Sequence, residues 1–99
     1  KYKKLILVLG ISSDKDIKGI CERICPLADK IILTQANSPR AADVNDIGKI
    51  IHVTMSHVIK SQVIKTISVK EAKKIAFRLA EKEDLILVTG SLFVVGEFR

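Results

Sequence analysis

The chain alternates short, dense apolar runs with longer stretches in which apolar residues recur every three or four positions. Leu5–Leu9 is an uninterrupted apolar run closed by Gly10. A run this short and apolar on both faces suits a strand buried in a parallel sheet. Ile17, Ile20, Cys21 and Ile24 then repeat at helical spacing, with Lys18, Glu22 and Arg23 on the opposite side and Pro26 as a stop. Lys30–Thr34 is a second β-rich run. Val44, Ile47, Ile50 and Ile51 form a second helical stripe behind a cap at Asp43. Residues 52–61 fit either an extension of that helix or the start of a strand. Val63–Ile67 reads as a third strand.

Ser68 and Glu71 form an S-x-x-E capping box, the clearest helix start in the chain. The stripe behind it is Val69, Ala72, Ile75, Ala76 and Leu79, while Lys70, Lys73, Lys74 and Arg78 face water. Leu85–Thr89 is a fourth strand, and Gly90-Ser91 opens a last helix through Phe98. Four strand–helix units in succession predict one α/β domain over residues 1–99. The expected build is three-layered and Rossmann-like, a mainly parallel sheet with helices on both faces.

Composition narrows the function classes. With 99 residues, 47% of them hydrophobic, one small domain can bury a core. No apolar run approaches a membrane span, and the basic start Lys1–Lys4 lacks the long apolar stretch of a signal peptide. A net charge of +6 raises the question of a nucleic-acid partner. The lysines are scattered, however, and with 4% aromatic residues and no Trp there is little for bases to stack on. Cys21 and Cys25 share a helix face, and with His52 and His57 they superficially match a metal site. The 26 residues between Cys25 and His52 do not suit a zinc finger. Buried free thiols in a reducing, cytoplasmic compartment are the expectation instead.

Ligands of open parallel sheets bind at the carboxyl ends of the strands. Three loops meet that condition, Gly10–Asp16, Gln35–Arg40 and Thr89–Ser91. The first carries Asp14, Lys15 and Asp16, the second a proline-flanked Arg40, and the third small residues before a helix, where backbone N–H groups can face an anion. Each also has a purely structural use. Asp14 or Asp16 can cap the first helix, Arg40 can form an ion pair, and Thr89-Gly90-Ser91 can be a tight turn. There is no G-x-x-x-x-G-K-[ST] loop, no G-x-G-x-x-G and no G-x-S-x-G elbow. An acidic pair after the first strand, which a phosphoacceptor receiver needs, is also missing, since that strand ends Leu9-Gly10-Ile11.

Taken together, three segments resemble those of folylpolyglutamate synthases. They are Leu7-Val8-Leu9-Gly10 followed by Asp14-Lys15-Asp16, then Pro39-Arg40-Ala41, then the stretch from Asp84 to Gly96 that reads D-L-I-L-V-T-G-S-L-F-V-V-G. Their order and spacing also agree, and the match spans nearly the whole chain. The resemblance points to the bifunctional dihydrofolate and folylpolyglutamate synthases of the Mur ligase superfamily, and the part it matches is their C-terminal domain. This resemblance implies an ATP-dependent amide-bond ligase that adds L-glutamate to folate or dihydropteroate through an acyl phosphate, with ATP and Mg bound in the full-length enzyme. It implies a cleft lined by Ser13, Asp14, Lys15, Asp16, Arg40 and Ser91, facing an N-terminal ATP-binding domain. Many relatives have a basic residue where Ser13 stands, and Lys15 is the substitute this sequence offers. The family's D-G-A-H-N-P segment, one strand and helix before the equivalent of Leu5, is absent from the 99 residues. The isolated chain is therefore expected to bind no cofactor by itself and to be inactive as a ligase. The competing expectation is a small α/β binding or regulatory module without catalytic activity.

Overall fold

In the computed structural model, residues 2–55, 62–90 and 92–98 are described. Four strands, β1 (Leu5–Gly10), β2 (Lys30–Leu33), β3 (Gln62–Lys65) and β4 (Leu85–Gly90), form one parallel sheet in the order β3-β2-β1-β4. Between and after them run α1 (Ile17–Ile24), α2 (Val44–Met55), α3 (Val69–Leu79) and α4 (Leu92–Phe98). The three-layer α/β expectation holds. The ambiguous stretch 52–61 resolves in part, because α2 continues to Met55; residues 56–61, His57 among them, lie outside the described residues.

The apolar periodicities explain which layer each helix joins. Successive strand residues point to opposite faces. Leu5, Leu7 and Leu9 of β1 with Ile31 and Leu33 of β2 pack against Cys21 and Cys25 and against Val44, Ile47, Ile51 and Met55 of α2. Ile6, Val8 and Ile32 point the other way, onto Ala72 and Ala76 of α3. Small alanines at this contact let α3 lie close to the sheet. β1 is buried along its whole length because it has strands on both sides and helices on both faces.

Local signals set the element ends. Ser68 Oγ accepts from Glu71 N at 3.1 Å and caps α3, while Glu71 Oε1 accepts from Ile67 N at 2.9 Å, one residue earlier than in the ideal reciprocal box. Pro26 does not stop the chain outright. It sits inside a short 3-10 turn, Cys25–Leu27, which extends α1 because its missing N–H is no loss in a first turn. The third strand is shorter than its apolar pattern predicts. Thr66 turns its hydroxyl back to the Leu33 carbonyl at 2.9 Å, and Ile67 is left 83% exposed at the approach to α3.

Candidate functional site

All three candidate loops emerge at the carboxyl edge of the sheet. After β1 the chain runs through Ile11–Asp16 to α1, after β2 through Thr34–Asp43 to α2, and after β4 directly into α4. The first two are joined in a way their sequences do not disclose. Ser12 and Ala41 form an antiparallel bridge, Ser13 N donates to Arg40 O at 2.6 Å, and Ala42 N donates to Ile11 O at 2.8 Å. The D-K-D and P-R-A segments therefore form one platform held by backbone bonds. Ser13, Asp14, Lys15, Asp16 and Arg40 are all exposed on it.

The roles within the platform differ. Asp16 Oδ1 accepts from Gly19 N at 3.1 Å and is the N-cap of α1, so the capping use is the one the structure shows for this carboxylate. Lys15 N closes a turn on Ser12 O at 3.1 Å. Arg40 N is held by Ser38 Oγ at 3.3 Å. The P-R-A loop is fixed from two further directions. Gln35 Oε1 accepts from Val44 N at 3.1 Å, and Glu97 Oε2 of α4 accepts from Asn37 N at 3.0 Å. Sequence reasoning missed Gln35 and Glu97. Glu97 lies 60 residues from the group it holds, and no local pattern marks it.

The third loop is tied to the platform through glycines. Gly10 pairs with Gly90 across the β1–β4 seam. Gly90 has φ of 128°, a conformation side chains rarely adopt, and a Cβ there would run into the Gly10 carbonyl. A Cβ on Gly10 would in turn sit 2.5 Å from Val94 Cγ2 of α4 and 2.9 Å from Thr34 O. The two glycines thus let α4 close down on the strand ends. Beneath it, Thr34 Oγ1 is buried with no hydrogen-bond partner. Ser91 lies outside the described residues.

Among the described residues the candidate metal ligands do not converge. Cys21 and Cys25 are buried free thiols in the core between helices and sheet, and His52 is exposed in the last turn of α2. Among the described residues no group of three or more His, Cys, Asp or Glu is placed to hold a metal ion. The hydrogen bond the two thiols share, and then burial, push Cys25 above the ordinary thiol value. No helix among the described residues is long and apolar enough to cross a membrane. A shallow groove bounded by Ser68, Lys70, Lys74 and Arg78 follows the outer face of α3, apart from the platform.

The platform can present two cations, Lys15 and Arg40, and the Asp14 carboxylate to a charged ligand from a rigid base. Comparison with known proteins bears on the family of the chain. Residues 1–92 match the family described as Mur ligase, glutamate ligase domain. The dihydrofolate synthase/folylpolyglutamate synthase of Buchnera aphidicola subsp. Acyrthosiphon pisum is 34% identical over 98 residues, covering 96% of this chain and 21% of that protein. The Haemophilus influenzae enzyme of the same name is 30% identical over 95 residues, again covering 96% of the chain and 21% of its own length. Among solved structures, Mycobacterium tuberculosis folylpolyglutamate synthase complexed with ADP and AMPPCP superposes with a TM-score of 0.82 at 26% identity, over 97% of this chain and 23% of that one. Escherichia coli FolC in complex with DHPP and ADP gives 0.82 at 25% identity, over 98% and 21%. The chain thus spans about a fifth of the length of these relatives. By its match over nearly its full length, the chain belongs to the Mur ligase family, as a glutamate ligase domain.

Proposed function

We propose that the chain is the C-terminal domain of a folylpolyglutamate or dihydrofolate synthase, and that the complete protein joins L-glutamate to a folate or dihydropteroate carboxylate. The observation that supports this most is the family match combined with the backbone-zipped platform of Ser13–Asp16 and Arg40 at the sheet's carboxyl edge. Relatives of this fold have been solved with ADP and AMPPCP. The donor set fits a polyphosphate at this edge, because Lys15 and Arg40 are exposed cations on a base that needs no reordering. Of the nearby carboxylates, Asp16 is already engaged as the cap of α1. Magnesium, as the family resemblance implies, would be held by the larger N-terminal ATP-binding domain.

ATP, when bound, supplies the activated acyl phosphate that an amine can displace. This chain's own residues would position charge around that event. Lys15 and Arg40 would hold phosphate or glutamate carboxylate oxygens. Asp14 would face the glutamate ammonium. Ser13, tethered through its backbone to Arg40, would fix the spacing between the two segments. Ser91 joins the same cleft on its sequence motif alone. Closure of the larger domain onto this edge would exclude water from an electrophile that water destroys.

The test uses the full-length protein with ATP, magnesium, glutamate and a folate. The expected result is a glutamylated product seen by mass spectrometry. Arg40→Ala is expected to raise the KM for glutamate or ATP about tenfold or more with the melting temperature unchanged, as for loss of a charged contact. Wild-type kinetics in Arg40→Ala would remove the platform from the reaction.

A further inference from the structure

Arg40 stands in a tight turn. Ala41 N donates to Ser38 O at 3.1 Å, which closes the turn over Ser38-Pro39-Arg40-Ala41. Pro39 takes the second position, where its fixed φ suits the geometry, and Ser38 Oγ accepts from Arg40 N inside the turn at 3.3 Å. A smaller turn runs directly into this one. Ser38 N donates to Ala36 O at 2.8 Å, so Asn37 is the central residue of a turn of the γ kind. The placement of Asn37 therefore sets the direction from which Ser38 enters the turn that carries Arg40.

Different parts of the fold hold the two ends of this double turn. The downstream end is tied to the loop after β1, by Ser13 N on Arg40 O at 2.6 Å and Ala42 N on Ile11 O at 2.8 Å. The upstream end is tied to α4. Ala36 is buried in one small cluster with Val69 and Val94, and Glu97 Oε2 accepts from Asn37 N at 3.0 Å. Val94 and Glu97 are one helical turn apart, so they share a face of α4. That face gives Ala36 an apolar seat and gives the next residue a carboxylate. The helix itself is well anchored, since Val94 is buried and closes on Gly10.

The Glu97 bond is not needed to hold the fold. Glu97 and Asn37 are both exposed, and an exposed N–H that loses its partner bonds water at little cost. What the bond specifies is position. A carboxylate on a backbone N–H is charge-assisted, about twice as strong as a neutral bond.

We infer that Glu97 is a positioning residue: through Asn37 N it fixes the double turn that places Arg40, without itself touching substrate. This rests on the reading of Arg40 as a contact to an anionic substrate group in a glutamate ligase. A misplacement of about 1 Å at such a contact can cost about a hundredfold in rate. Two other roles predict otherwise. A carboxylate facing a substrate ammonium would need its charge, and a purely structural one would act independently of Arg40.

The test compares Glu97→Gln, Glu97→Ala, Arg40→Ala and the double variant Arg40→Ala/Glu97→Ala in the full-length protein. Gln keeps an oxygen acceptor at the same reach and drops the charge. Glu97→Ala is expected to raise about fivefold the same KM that Arg40→Ala raises, with the melting temperature within about 2 °C of wild type. Glu97→Gln should stay within about twofold of wild type, and the double variant should be no worse than Arg40→Ala alone. Multiplied effects in the double variant, or a Gln variant as damaged as the Ala one, would overturn the inference. Amide exchange separates it from the reading it rests on. In Glu97→Ala the Ala41 amide, which closes the turn, should exchange about fivefold faster, while Ile20 of α1 is unchanged. Unchanged exchange at Ala41 overturns the inference whatever the turnover. Faster exchange in a protein without ligase activity would uphold the hold of Glu97 on the turn and place the failure in the ligase reading.

Discussion

Two strands of near-identical sequence, side by side in one sheet, are treated differently by the fold. β1 is buried from Leu5 to Gly10, and β4 is half open from Leu85 to Gly90. Five of their six residues are the same, so intrinsic strand preference cannot be the cause. The cause is place: among the described residues β1 has a strand on each side and helices on both faces, while β4 has one strand and one covered face. The difference teaches that place in the sheet, and not strand sequence alone, sets how deeply each leucine is buried.

The largest expected effect separates the two strands directly. In the 99-residue chain, Leu7→Ala should cost about 3 kcal/mol by urea unfolding, and Leu87→Ala about 1 kcal/mol, because the second already meets water. Equal costs at the two positions would break the comparison. At the carboxyl ends, Gly90→Ala should cost about 2 kcal/mol, combining positive φ with a collision at the Gly10 carbonyl. An unchanged unfolding midpoint for this variant would show that the seam relaxes freely. Ser68→Ala, which uncaps the helix covering one face of both strands, should cost about 1 kcal/mol. Its effect on amide protection should be equal in β1 and β4.

The smallest effect concerns the cover that only β1 has. Cys25 belongs to that cover, and its folded-state value lies above the ordinary 9.0. Well below pH 9.0 both states keep the Cys25 proton and this group leaves stability unaffected. Nearer and above it the unfolded Cys25 thiol ionises first, so its own contribution to stability should fall as pH rises, while the shared hydrogen bond lowers Cys21 and opposes that fall. The slope of unfolding free energy against pH should flatten in Cys25→Ala; an unchanged slope would assign the loss to other groups.

Much of the fold was legible because it rests on short-range pattern. The apolar runs marked the strands, the spacing of Val69, Ala72 and Ala76 marked α3, and Ser68 with Glu71 marked its start. The third strand was placed too far along because Ile67 is apolar yet exposed, the Thr66 hydroxyl having turned the chain out of the sheet. The sheet order was not legible, since β4 crosses back to pair with β1, eighty residues away in register. For the site, the loops were legible and their joining was not. The bonds from Ser13 to Arg40 and from Ala42 to Ile11 use backbone groups, which every residue has, and Glu97 reaches Asn37 across the fold. Asp16 was read with two possible uses, and the structure shows the cap.

The central claim is that this domain supplies charged edge residues to a site completed by a larger partner domain. The most direct measurement is ADP formation with ATP, magnesium, glutamate and a folate present together, made on the full-length protein and on the 99-residue chain. The account predicts turnover dependent on both substrates in the first and none in the second. Turnover by the 99-residue chain alone, or none by the full-length protein, would contradict it.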